Sequence, residues 1–165
     1  QFWPFWKFEQ ILKSRIIEGN TFSYNEIRNF NLFKSSDASL IYARVLDAKL
    51  PSFSENVSLV LHYNQALLDL KDDWEDIEED IQEDMPNAFV MAAIENVPYK
   101  ELKNYRITKL RNIIRNSLDS FESPIIRLID EYHSSIRNIS IPSNLVFIKL
   151  VSDHHANALS QTISS

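Results

Sequence analysis

Cysteine is absent, and glycine occurs once in 165 residues. Without thiols there is no disulfide framework and no thiolate metal site, which suits a reducing, cytoplasmic setting. One glycine leaves almost no position for the positive-φ turns that close tight hairpins, which argues against an all-β architecture. It also leaves no glycine loop to cradle a phosphate. Long apolar runs are missing too: none approaches the ~18–20 residues that a membrane-spanning helix needs. No Ser–His–Asp set with a nucleophile elbow is visible, and no Glu-x-x-His pair of the di-iron kind.

Apolar residues make up 44% of the chain and aromatic residues 12%, enough for a globular core. At this length the expectation is one domain, residues 1–165. Apolar positions recur at helical spacing. Helices are expected over residues 4–18, with Pro4 in the first turn and Gly19 past the end, and over 23–33, where Ser23 and Glu26 have capping-box spacing. Ser36 can cap a helix from Asp37 to Leu50, stopped by Pro51. A long helix from Ser54 carries Val60, Leu67, Leu70, Trp74, Ile77 and Ile81 at spacings of three, four and seven, and Pro86 ends or kinks it. Further helices are expected over 87–95, 99–121, 125–139 and 143–160. The fold class read from this is all-α, a multi-helix bundle.

The net charge is −6, and its distribution is uneven. Between Asp69 and Asp84 stand ten carboxylates and one lysine; the remainder has 13 acids and 16 bases, a balance of +3. On a helical wheel Asp73, Asp76, Asp80 and Glu83 lie within about 40° of Asp69, while the apolar seam centres about 120° away. Acid pairs at i,i+4 along this ladder cost about 1–3 kcal/mol together. Water and salt, a basic neighbour or divalent cations can offset that cost.

Within the ladder, Asp72-Asp73-Trp74-Glu75-Asp76 satisfies both D-D-x-x-D and D-x-x-E-D. Carboxylates three and four apart on a helix can converge on a hard cation, which in turn bridges to substrate phosphates. The stretch ALLDLKDDWEDIEEDIQEDMPN resembles the second aspartate-rich helix of the isoprenoid synthases. Asp72, Asp73 and Asp76 match the polyprenyl diphosphate synthases; Asp72, Glu75, Asp76 and the downstream Pro86 match the squalene and phytoene synthases. The resemblance covers about 25 residues. It implies an all-helical, isoprenoid-synthase-like fold, Mg2+ as cofactor, and an isoprenoid diphosphate or other apolar small molecule as partner. The implied activity is that of a magnesium-dependent prenyl diphosphate transferase or terpene-synthase-like enzyme. Asp72, Asp73 and Asp76 would bind metal, with Asp69, Glu75 and Asp80 in support. No second such motif occurs outside the acidic stretch, so the resemblance implies a partial or C-terminal half of that fold, or a second chain that completes it. The alternative is a non-catalytic helical protein that uses the acidic helix to bind a cation or a partner.

A basic counterpart follows. Lys100, Lys103, Arg106, Lys109, Arg111 and Arg115 give six cations within sixteen residues, opposed only by Glu101. They read as a solvated face or as partners for the acidic helix; Arg106, Lys109 and Arg111 are the candidates for a substrate diphosphate. Nucleic acid is not expected, because the acidic helix repels phosphate and only Tyr105 interleaves with the bases. The N-terminal FWPFWKF holds five aromatics in seven residues. It is expected to dock into the core or onto a second subunit, the latter making a homo-oligomer; the alternative is a surface for a membrane interface or an apolar ligand.

Overall fold

The computed structural model describes residues 2–36, 55–118 and 123–164. All regular structure among them is helical, as the periodicity required: α1 (Phe2–Ile17), α2 (Tyr24–Lys34), α3 (Glu55–Glu75), α4 (Ile77–Gln82), α5 (Ala88–Ala93), α6 (Tyr99–Leu102), α7 (Ile107–Leu118), α8 (Pro124–Asn138), a 3-10 turn (Ser143–Leu145) and α9 (Phe147–Ser164). The helix expected from Asp37 to Leu50 lies outside the described residues. Among the described residues no helix is long and apolar enough to cross a membrane.

The chain divides into two compact units, Gln1–Phe30 with Lys71–Arg127, and Asn31–Leu70 with Leu128–Ser165. The divisions fall inside α2, α3 and α8. In the first unit α5 packs on α7 and α4, α7 packs on α4, and α6 packs on α1. Its core includes Leu12, Ile16, Ile27, Trp74, Ile77 and all six residues of α5. In the second unit Val60, Leu67 and Leu70 of α3, Leu128 and Tyr132 of α8 and Leu159 of α9 are buried. Tyr63 stacks on Tyr132 there, ring centroids 5.5 Å apart.

Local chemistry explains the helix ends. Gly19 has φ +76°, and Asn20 N–H bonds Arg15 O while Gly19 N–H bonds Ile16 O, the paired closure that favours glycine at this position. At α2 the capping box forms as the spacing required: Ser23 N–H donates to Glu26 Oε2 at 2.8 Å, and Glu26 N–H donates to Ser23 Oγ at 3.3 Å. Arg15 also pairs with Glu26.

That arrangement sets an acid-stability expectation. The Arg15 guanidinium, helped by the Ser23 amide and hydroxyl, lowers the Glu26 carboxyl from 4.5 to about 2. A depressed carboxyl pKa contributes stability that is present above the unfolded value and is lost as pH falls through the folded one. The Glu26 side chain is 38% exposed, so solvent screening reduces the contribution to roughly 1 kcal/mol. Arg15→Met should therefore be destabilised at about pH 5 and nearly match wild type only at about pH 1.5, below the folded value, in urea unfolding. An unchanged gap between the two conditions would contradict the assignment.

Two expected helices are each broken into two. Residues 99–121 were expected to form one helix, but α6 stops at Leu102 and α7 begins at Ile107. The Asn104 side chain donates to Lys100 O at 2.9 Å, the carbonyl its own amide would use in a continuing helix, and Asn104 N–H bonds Glu101 O instead. The acidic helix breaks at Asp76 (φ −95°, ψ 7°). Just before it, Asn87 Nδ2 donates to Asp73 O at 2.5 Å and Arg111 Nη2 to Glu75 O at 3.0 Å. Side-chain donors thus draw carbonyls out of the helical ladder at the point where it bends. The Asp76 N–H to Asp72 O and Asp80 N–H to Asp76 O bonds, both 2.9 Å, keep the trace helical around the break. The helix then ends before Pro86: Met85 N–H bonds Asp80 O at 2.7 Å across Asp84, which adopts φ +58°.

Candidate functional site

The acidic residues separate into two kinds once their side chains are placed. Asp69 and Asp73 are buried, 8% and 1% exposed. In the second unit Asp69 accepts Ser35 Oγ–H at 2.5 Å and Gln65 Nε2–H at 2.9 Å. In the first unit Asp73 Oδ2 accepts the Ala88 N–H at 2.8 Å. Asp80 accepts Asn87 Nδ2–H at 2.7 Å. Asp72, Glu75 and Asp76 are exposed. Glu75 pairs with Lys71 at 2.8 Å.

One open cleft of about 520 Å³ in the first unit gathers Glu75, Asp76, Glu78, Glu79, Gln82, Glu83, Ile107 and Arg111. Five of these carry carboxylates and one a guanidinium. Arg111 crosses from α7 to the carbonyl of Glu75, and both it and Arg115 stand over the Trp74 ring, 5.8 and 5.7 Å from its centroid. Asp76 and Arg111, expected on the metal side and the diphosphate side of one site, therefore share a cleft. Arg106 and Lys109 are exposed and lie outside its lining; Lys109 stands over the Tyr105 ring at 4.2 Å.

Asp72, Asp73 and Asp76 do not gather on a common point: Asp73 is inside, committed to a backbone amide, while Asp76 opens into the cleft and Asp72 is exposed outside its lining. Among the described residues no three His, Asp or Glu side chains are grouped to hold a metal ion. The three aspartates of the D-D-x-x-D stretch therefore do not converge as one ligand set as folded, because Asp73 is turned inward.

Two groups of residues here were outside the sequence expectation. Glu78, Glu79 and Glu83 line the cleft, and the i,i+4 spacing of Glu75, Glu79 and Glu83 could have marked them as one side. Asn87 is fully buried and holds three helices together. Its signal was present, since asparagine directly before the apolar run AFVMAA is a strong N-cap.

No family model matches this chain, and no curated protein or solved structure matches it.

Proposed function

We propose that the protein is a helical binding module whose acidic cleft receives a cationic segment of a partner protein. The observation that carries this reading is the lining itself: five carboxylates spread around an open cleft of about 520 Å³, with Arg111 at its wall. A single ion needs convergent oxygens, whereas spaced carboxylates in an open groove suit several lysine or arginine side chains at once. Among the described residues no ion pair engages Asp76, Glu78, Glu79 or Glu83, so these charges are available to a partner.

The test is calorimetric titration with an oligolysine peptide, an oligoglutamate control and, separately, MgCl2. Binding of oligolysine should weaken steeply with added salt. It should fall about tenfold or more in a variant combining Glu75→Gln, Glu79→Gln and Glu83→Gln. Equal affinity of that variant and wild type would sink the proposal.

A second reading has one specific observation in its favour. Isoprenoid diphosphate chemistry, implied by the resemblance, wants a basic group beside the metal carboxylates, and Arg111 lies in the same cleft as Asp76. On that reading a metal would be held by cleft carboxylates in place of Asp73. Magnesium heat that appears only with a prenyl diphosphate present, and is lost in Arg111→Met, would favour it over the peptide reading.

A further inference from the structure

The helix α5 is buried along its whole length. A buried helix start leaves its first amides with no water to bond, and each such amide left unmet costs as much as a lost hydrogen bond or more. Here the first four amides of α5 are all met, three by side chains and the fourth by the first regular helical bond. Ala88 N–H donates to Asp73 Oδ2 at 2.8 Å. Phe89 and Val90 N–H donate to Asn87 Oδ1 at 3.0 and 3.3 Å. Met91 N–H donates to Asn87 O at 2.9 Å. Asn87 cannot reach the first of these amides with the same oxygen, so the Asp73 carboxylate completes the set. Its negative charge also sits at the positive end of the α5 backbone dipoles.

The same asparagine reaches back. Its Nδ2 donates to Asp73 O at 2.5 Å and to Asp80 Oδ2 at 2.7 Å. Asp73, Asn87 and Asp80 thus form a polar clasp joining the end of α3, the middle of α4 and the start of α5. Two of its three members are almost wholly buried, Asp73 at 1% and Asn87 at 0% exposure.

We infer that the central carboxylate of the D-D-x-x-D stretch is a positioning residue for α5, and that the stretch acts as a structural clasp in which Asp73 is unavailable to a cation. This inference is independent of what the cleft binds, because Asp73 does not line the cleft. The role asks for an acceptor oxygen at residue 73. A ligand to magnesium would need the charge itself, so the neutral isostere separates the two.

The experiment uses the full chain with Asp73→Asn and Asp73→Ala, Asp76→Asn serving as the cleft control. Thermal unfolding is followed with and without MgCl2, and amide hydrogen exchange is followed at Ala88. Asp73→Ala should lower Tm by about 5 °C and speed Ala88 exchange about tenfold or more. Asp73→Asn, which keeps an acceptor, should recover at least half of both losses. Any rise in Tm on adding magnesium should be the same in wild type and Asp73→Asn. A magnesium-dependent rise that vanishes in Asp73→Asn would overturn the inference. So would equal losses in Asp73→Asn and Asp73→Ala. If Asp73→Ala does not fold, Ala88 protection in Asp73→Asn decides alone: wild-type-like protection supports the clasp, and tenfold faster exchange overturns it.

Discussion

Replacing Trp74 with alanine will lower stability by about 3–5 kcal/mol, the range for removing a large buried aromatic. The residue is 2% exposed and sits where α3 gives way to α4. Its ring is 5.1 Å from that of Phe89, tilted by 57°, so the substitution removes an edge-type aromatic pair as well as buried area. It also removes the surface under Arg111 and Arg115, and guanidinium groups over an indole add about 0.5–1 kcal/mol at partly exposed sites. Arg111 then loses the platform that directs its Nη2 to the Glu75 carbonyl. Trp74→Phe should cost less, about 1–2 kcal/mol, because a ring remains against Phe89. Urea unfolding measures both. A loss below about 1 kcal/mol for Trp74→Ala would mean that the indole is not part of the core. The same variant probes the cleft: oligolysine binding should persist in Trp74→Phe, since every cleft carboxylate is retained.

The helical periodicity read correctly for the apolar seam and for most helix ends that are set by neighbours in sequence. Val60, Leu67, Leu70, Trp74, Ile77 and Ile81, assigned to one apolar seam, are all buried. The Ser23–Glu26 box and the Gly19 stop were legible for the same reason, being set within a few residues. The break at Asp76 was not, because it depends on Asn87 and Arg111, and Arg111 is 36 residues away from the carbonyl it takes. The break at Asn104 is different: its cause is a side chain bonding four residues back, a known habit of asparagine. That one was readable in principle. The carboxylates teach the sharper lesson. On the wheel Asp73 lies about 80° from the seam centre and Asp76 about 140°, so one D-D-x-x-D pattern spans both the core edge and the solvent side. Spacing alone treats them as one ligand set, whereas burial sends them to opposite tasks. Asp69 shows the remaining difficulty. It lies about 120° from the seam on the wheel, yet Ser35 and Gln65 enclose it, and no pattern within its own helix announces Ser35.

Asn87→Ala should be the more damaging substitution in the clasp, with a loss of about 3 kcal/mol. The side chain is fully buried and makes four hydrogen bonds, two as acceptor and two as donor. Removing an N-cap asparagine costs about 1 kcal/mol. The Asp73 carbonyl loses its buried donor as well, which adds about 1–3 kcal/mol. Asp80 is only part-buried, so water replaces its lost partner and its share is small. Hydrogen exchange localises the effect: the Phe89 and Val90 amides should lose protection about tenfold beyond the global change. Asn87→Asp divides the two roles. Aspartate is as good a cap as asparagine, so protection at Phe89 and Val90 should be kept. It cannot donate, however, and the introduced carboxylate would face that of Asp80, a like-charge contact. Repulsion raises the pKa of such a group in the folded state, so the penalty is full above that pKa and is relieved as pH falls through it. The gap between wild type and Asn87→Asp should therefore narrow on acidification, whereas the gap between wild type and Asn87→Ala should not narrow by that route. Parallel pH profiles for the two variants would mean that the amide donor of Asn87 does not bind Asp80, and that the clasp has two members instead of three.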